Sequence, residues 1–253
     1  MPNAKLFSFS DPSIALGEYI LSIQNAVLAT GKPHFTVAVS GGSLPKSLKK
    51  AIIDNKTIAS QIQWPKWKIY FADERVVPLN HEDSNYGLID TYILKELIKK
   101  QVLGPEVFAI NENLVNDPLK IDDIALEYES LLPEDKEFDL VLLGSGPDGH
   151  TCSLFPNHPL LKVTDKFIVS ITDSPKPPPR RITFTFPLLA NSSYIAFVAE
   201  GSNKTEILSK IFAKENHGLP TEIVNALQKP NVSWFINDAA GNGLPEEYFS
   251  KYN

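Results

Sequence analysis

Short runs of consecutive apolar residues alternate with longer stretches of mixed polarity over most of this chain. The apolar runs fall at residues 35–39, 68–72, 138–143, 167–171, 181–186, 194–199 and 232–236. Each is short and followed within two residues by Gly, Pro, Asp or Ser, so each reads as a β-strand. The stretches between them carry helix punctuation. Asp11 and Pro12 supply an N-cap and a proline for the first turn, and the amphipathic pattern behind them runs to Thr30 and closes at Gly31. Residues 44–55 read as helical, with Ser43 as N-cap and Pro45 in the first turn. A further helix is entered near Ser84 within residues 83–100. Another opens at Asp117-Pro118 and runs to about Leu132, and residues 205–213 are helical. Nearly continuous apolar strands alternating with amphipathic helices imply an α/β fold, doubly wound, with a mainly parallel sheet and helices on both faces. No internal repeat or low-complexity linker interrupts the alternation, so residues 1–253 are expected to form a single domain.

Composition narrows the function. The chain has 253 residues and is 43% hydrophobic, enough for a sizeable core. Its net charge of −6, with no basic arm or stripe, argues against a nucleic-acid partner. A small anionic substrate would need a local positive site. Cys152 is the only cysteine, which excludes an intrachain disulfide and fits a reducing compartment. The opening Met1-Pro2-Asn3-Ala4-Lys5 leads into no apolar stretch of signal-peptide length, and no run approaches the ~18 apolar residues of a membrane span. A soluble, cytoplasmic protein is expected.

The chemistry gathers where strands end. One run leads into Ser40-Gly41-Gly42-Ser43, a second into Asp73-Glu74-Arg75, a third into residues 144–150 and a fourth into Glu200-Gly201-Ser202-Asn203-Lys204. In open α/β sheets, ligands bind beyond the carboxyl ends of the strands. Ser40, Gly41, Gly42 and Ser43 form a compact anion cradle, because glycine lets backbone N–H groups approach an anion and the following helix adds its positive end. No Walker pattern follows, which argues against a nucleoside triphosphate. Arg75 can fork onto phosphate or carboxylate oxygens, or pair locally with its acidic neighbours. Lys204 opens a helix, a placement the dipole disfavours.

Residues 144–150 carry Asp148 and His150 two positions apart on a Gly-rich turn. A carboxylate beside a histidine suits general acid–base work. Gly144, Gly146 and Gly149 also match a dinucleotide fingerprint, but Pro147, Pro156 and Pro159 exclude the helix that fingerprint requires. Cys152 lacks a base of its own, and Asp148, His150, Cys152 and His158 match no familiar zinc spacing, so neither a thiol nucleophile nor a metal site is expected. His34, His81 and His217 read as surface residues. Residues 174–181, SPKPPPRR, read as a stiff surface loop between two strands in preference to a polyproline ligand.

At these residues the chain resembles the 6-phosphogluconolactonases of the glucosamine-6-phosphate isomerase/lactonase superfamily, in their fungal cytosolic branch. The matching segments are VAVSGGSLPKSL (37–48), WKIYFADERVVPLNHEDSNYGL (67–88), FDLVLLGSGPDGHTCSLFPNHP (138–159), SPKPPPRRITFT (174–185) and FVAEGSNKTEIL (197–208). The resemblance implies a Rossmann-like sheet and a metal-independent, cofactor-free hydrolase. Its substrate would be 6-phospho-D-glucono-1,5-lactone and its product 6-phosphogluconate, in the oxidative pentose phosphate pathway. It further implies His150 as general base with Asp148 beside it, Arg75 near the lactone, and a phosphate site of residues 40–43 and Lys204. Arg181, rather than Arg180, takes the matched arginine position after the prolines, and Asp73 takes a substrate-side position. The expected partner is a small phosphorylated sugar lactone, with no nucleic acid, no membrane and a monomeric chain. Two alternatives stand beside this: a related aldose–ketose deaminase, or a non-catalytic sugar-phosphate-binding protein. The deaminase motif has a glutamate five residues after the histidine, where this chain has Phe155, although Asp73 retains that enzyme's acid.

Overall fold

In the computed structural model, which describes residues 4–252, the expected alternation of strands and helices is present; the reading at residues 1–3 lies outside the described residues. The strands are β1 (Lys5–Phe9), β2 (Phe35–Val39), β3 (Trp67–Phe71), β4 (Asp73–Arg75), β5 (Glu106–Val107), β6 (Leu140–Leu143), β7 (Ile168–Ile171), β8 (Arg181–Phe184), β9 (Tyr194–Ala199) and β10 (Asn231–Asn237). The helices are α1 (Ser13–Ala29), α2 (Leu44–Lys49), α3 (Lys56–Ala59), α4 (Asn85–Ile89), α5 (Lys95–Lys99), α6 (Ile121–Leu131), α7 (Phe186–Ala190), α8 (Thr205–Ile211), α9 (Pro220–Asn225) and α10 (Asp238–Gly241). π-helical turns at Lys50–Asp54 and Asp90–Leu94 continue α2 and join α4 to α5. No helix among the described residues is long and apolar enough to cross a membrane.

Seven strands form one parallel sheet in the order β1-β10-β9-β6-β2-β3-β5. Parallel crossovers are right-handed. The path β2 to β3 to β5 moves toward one edge and the path β6 to β9 to β10 toward the other, so their helices fall on opposite faces. Every residue of β2 and β6 is buried, which is why their sequences read as unbroken apolar runs. The chain changes direction between these two hydrogen-bonded neighbours. Beyond their carboxyl ends lies the crevice in which open α/β sheets take ligands.

Two expected strands do not join this sheet. β7 and β8 pair antiparallel, and β4 adds to the other edge of β8 to make a separate three-stranded sheet. The proline-rich loop between β7 and β8 is too short for the crossover that parallel neighbours require, so the chain turns straight back. The run expected at 181–186 ends early because Thr185 leads into α7. β1, β4 and the two-residue β5 lie outside the expected strands: β1 is only partly buried at the sheet edge, β4 is made of three charged residues, and β5 is too short to show a pattern.

Most punctuation acts as read. The Asp11 carboxylate accepts from Ser13 N–H at 2.9 Å, Gly31 turns the chain at φ +88°, and the Ser84 hydroxyl accepts from Gly87 N–H at 3.1 Å. Asp117 accepts from Leu119 N–H at 2.9 Å. Ser43 departs from the expectation. Its backbone is already helical and its side chain makes no capping bond, which leaves the hydroxyl to the crevice.

Candidate active site

The crevice at the β2/β6 reversal is lined by residues 40–44, Asp73, Arg75, residues 144–146, His150, Cys152, Arg181, Val198 and Lys204. All four polar strand ends therefore reach one place. After β2, the Ser40 N–H is held by the Leu142 carbonyl at 2.9 Å, while the N–H groups of Gly41, Gly42 and Ser43 make no hydrogen bond among the described residues. The Ser40 hydroxyl is buried and equally without a protein partner. Gly42 holds φ +67°. Gly41 is required by close approach: a Cβ there would overlap the carboxamide of Asn85. Unbonded N–H groups at a helix start, with a free hydroxyl among them, make an anion site.

β4 contributes three side chains that do different things. Asp73 is 5% exposed, and its carboxylate accepts from Ser153 Oγ at 2.8 Å and from Asn85 Nδ2 at 3.3 Å. Glu74 is 1% exposed and points away from the cleft. It accepts from Arg75 N–H (2.7 Å), Asn85 N–H and Tyr86 N–H (both 2.8 Å) and Ser84 Oγ (3.3 Å). Burial pushes its carboxyl up to about 7, against the pull of those backbone donors. Glu74 and Ser84 between them satisfy the first N–H groups of α4. Arg75 gives Nη1 to the Asp83 carbonyl at 2.7 Å, and its buried Nε has no partner among the described residues. It makes no bond to Asp73 among the described residues.

The turn after β6 presents the acid–base pair. Asp148 Oδ1 lies 2.5 Å from His150 Nδ1. A carboxylate can only accept, so Nδ1 carries the proton and Nε2 keeps its lone pair. The imidazole packs on Phe155, with ring centroids 4.8 Å apart, and on Gly146, where a Cβ would overlap it. Burial holds the His150 pKa below its ordinary value; Asp148 acts the other way and Lys176 with the burial. For Asp148, burial works upward but is outweighed by His150 and Lys176, and the carboxyl falls to about 2. His150 is thus a neutral base at neutral pH.

Arg181 and Lys204 close the rim. Arg181, 3% exposed, lies opposite Arg75 in the antiparallel pair. It donates Nε to the Pro178 carbonyl (3.0 Å), Nη2 to those of Lys176 (2.9 Å) and Pro177 (3.2 Å), and Nη1 to Ser153 Oγ (3.3 Å). Burial first, and then Arg75, pulls its pKa down. Arg180 turns away to the Val115 and Asp117 carbonyls. Lys204 Nζ reaches across to the Ser145 carbonyl at 2.7 Å, with its pKa lowered by burial and by Lys176.

All ten expected site residues meet around this crevice. Four others were not singled out: Asn85, Glu74, Ser153 and Lys176. Asn85 and Ser153 sit in the matching segments without carrying charge, and Lys176 lies in what reads as a stiff surface loop. The loop is the surface connection between β7 and β8 that its sequence implies, and from it Lys176 Nζ reaches the Asp148–His150 pair. Cys152 lines the crevice, but burial drives its thiol pKa well up, so no thiolate is offered. His158 is taken by Asp173 and by the Leu160 N–H. Past Gly149 the chain forms a tight bridge between Thr151 and Leu154 rather than a helix, so the dinucleotide fingerprint lacks its structural context.

Residues 10–234 match the family model described as glucosamine-6-phosphate isomerases/6-phosphogluconolactonase. 6-Phosphogluconolactonase 3 of Saccharomyces cerevisiae is 45% identical over 229 residues, covering 89% of this chain and 90% of its own. A probable 6-phosphogluconolactonase of Schizosaccharomyces pombe is 38% identical over 257 residues, covering 94% and 95%. Among solved structures, the 6-phosphogluconolactonase of Trypanosoma brucei superposes with a TM-score of 0.79 at 23% identity, over 97% of this chain and 100% of that one. At that identity the likeness is one of fold.

Proposed function

The chain belongs to the glucosamine-6-phosphate isomerase/6-phosphogluconolactonase family, and from that membership we propose that it hydrolyses 6-phospho-D-glucono-1,5-lactone to 6-phospho-D-gluconate, the lactone step of the oxidative pentose phosphate pathway. One observation carries the reading: His150, with Nδ1 held by Asp148, opens on the same crevice as the three unbonded N–H groups of residues 41–43. A base and an anion site face each other, as a phosphorylated ester substrate requires.

The substrate phosphate docks on residues 40–43 and Lys204. The lactone carbonyl then lies toward His150 and Arg75. His150 Nε2 takes a proton from water as the water oxygen adds to C1. Arg75, whose guanidinium side chain lines the crevice, is the donor for the resulting oxyanion. As the oxyanion collapses, the bond from C1 to the ring oxygen breaks and His150 returns its proton to that oxygen. The carboxylic acid formed at C1 ionises in solvent. Asp73, fixed by Ser153 and Asn85, shapes the floor, and Arg181 holds the loop at residues 176–178.

The deaminase alternative needs an acid beside the base for ring opening. Here the phenyl ring of Phe155 backs His150 and can relay no proton. The test is turnover of freshly generated 6-phosphogluconolactone, above its spontaneous rate and in chelating buffer, against turnover of glucosamine 6-phosphate. Fast lactone hydrolysis with no deamination is expected. Deamination, or a lactone rate equal to background, overturns the proposal.

Lys204→Ala is expected to raise KM about tenfold or more with a smaller change in kcat, because a phosphate contact present in ground and transition states alike contributes uniform binding. Steady-state kinetics decide it. A fall in kcat at unchanged KM would move Lys204 from the phosphate to the reacting centre.

A further inference from the structure

The loop between β7 and β8 brings a second charge to the acid–base pair. Lys176 Nζ lies 3.2 Å from Asp148 Oδ1 and 3.1 Å from His150 Nδ1. With the Nδ1 proton given to Asp148, the ammonium finds no lone pair on the ring. It hydrogen-bonds to Asp148 and acts on the imidazole through charge alone. We propose that Lys176 is a positioning residue for the hydrolysis: it holds the Asp148 carboxylate in place as acceptor for His150 and opposes protonation of the imidazole, so that Nε2 stays free to take a proton from water. The proposal rests on the reading of His150 as the base.

The placement of Lys176 is built, not incidental. Its carbonyl accepts from the buried Arg181 and from Ser174 Oγ at 2.8 Å. Arg181 also grips the next two carbonyls, of Pro177 and Pro178, and is itself tied through Ser153 Oγ to Asp73. Prolines at 175, 177, 178 and 179 restrict the loop's backbone. A clamped main chain thus delivers a half-exposed cation to one carboxylate.

The other charged or titratable groups around His150 do not duplicate it. On its own turn stand Asp148, which favours a charged ring, and Cys152, which burial keeps as a thiol. β4 presents Asp73, which acts in the same sense as Asp148, and Arg75, whose Nη1 is held by Asp83. β8 presents Arg181, 5.7 Å from the Phe155 ring on which the imidazole packs. Lys204, entering α8, is held by the Ser145 carbonyl. Lys176 is the cation within hydrogen-bonding distance of both members of the pair.

The test is a direct NMR titration of the His150 imidazole in wild type, Lys176→Met, Lys176→Gln and Lys176→Arg, beside the pH profile of kcat/KM. Removing the cation raises the His150 midpoint by about one pH unit, the size expected for unit charges a few ångströms apart near solvent. Lys176→Arg keeps it within about 0.3 unit of wild type. The acid limb of kcat/KM moves to higher pH with the midpoint. A midpoint unmoved or lowered in both neutral variants overturns the proposal, as does a uniform loss of kcat/KM with the limb in place, the result of a merely structural loop contact. Two neutral variants guard against one failing to fold. The titration needs no substrate, so absence of lactone turnover in the wild type would count against the functional reading while the titration still decides the role of Lys176.

Discussion

Replacing His150 with alanine lowers kcat by about 10²–10⁴-fold, the usual contribution of a positioned general base, while the protein stays folded. The expectation follows from the pair's geometry. Asp148 Oδ1, 2.5 Å from Nδ1, accepts the Nδ1 proton, burial keeps the ring neutral, and Nε2 is left to the crevice. No other neutral base lines it: Cys152 is a buried thiol and Asp73 is engaged by Ser153 and Asn85. The residual rate comes from positioning by the cradle and from the lactone's own reactivity. The fold persists because the imidazole sits in the turn after β6 at the crevice, outside the core of the main sheet. Thermal melting and stopped assays on the same preparation make the comparison. Retention of more than about a tenth of wild-type kcat in a folded variant would remove His150 from the base role.

Glu74→Ala destabilises the fold by about 3–5 kcal/mol, since it strands buried backbone donors. Its carboxylate accepts the N–H groups of Arg75, Asn85 and Tyr86 and so ties β4 to the start of α4. That is a large part of a typical domain stability of about 5–15 kcal/mol. The same joint carries Asp73, Arg75 and Asn85, so kcat falls as well. The pH dependence has a definite sign. Burial raises the folded pKa from 4.5 to about 7. Between those values the folded state binds the proton that the unfolded chain has released, so this group's contribution declines as pH rises through the window. The melting temperature of wild type relative to Glu74→Gln therefore falls between pH 4.5 and 7. Parallel curves for the two proteins would show that Glu74 is ionised throughout, and a Glu74→Ala melt within experimental error of wild type would remove it from the joint.

Strand and helix identity was legible because the determinants are local. The buried runs of β2, β6 and β9 are continuous, and Asp11, Ser84 and Asp117 cap with their own neighbours. Most of what failed depends on which strand meets which. The segments 167–171 and 181–186 have strand character, but their character does not say which sheet they enter; the return through the proline loop does. β5 exists as two residues because β3 lies beside it. Ser43 resembles a cap and is not one, since the chain is already helical there.

The site divides the same way. Ser40 to Ser43, Arg75, Asp148, His150 and Lys204 announce themselves because each breaks a local expectation at the end of an apolar run. Glu74 looks like the neighbour that pairs with Arg75, whereas strand alternation turns it inward under α4, and Lys176 reads as a solvated loop residue until Arg181 folds its carbonyl down. Local patterning is enough to set element type, the parallel core and the chemical character of the strand ends, because backbone propensity and periodicity act over a few residues. Which polar group meets which was decided by tertiary packing. The Asn85 carboxamide against Gly41, Ser153 Oγ on the Asp73 carboxylate and Lys176 Nζ on Asp148 join residues tens of positions apart, whose distances no local pattern encodes.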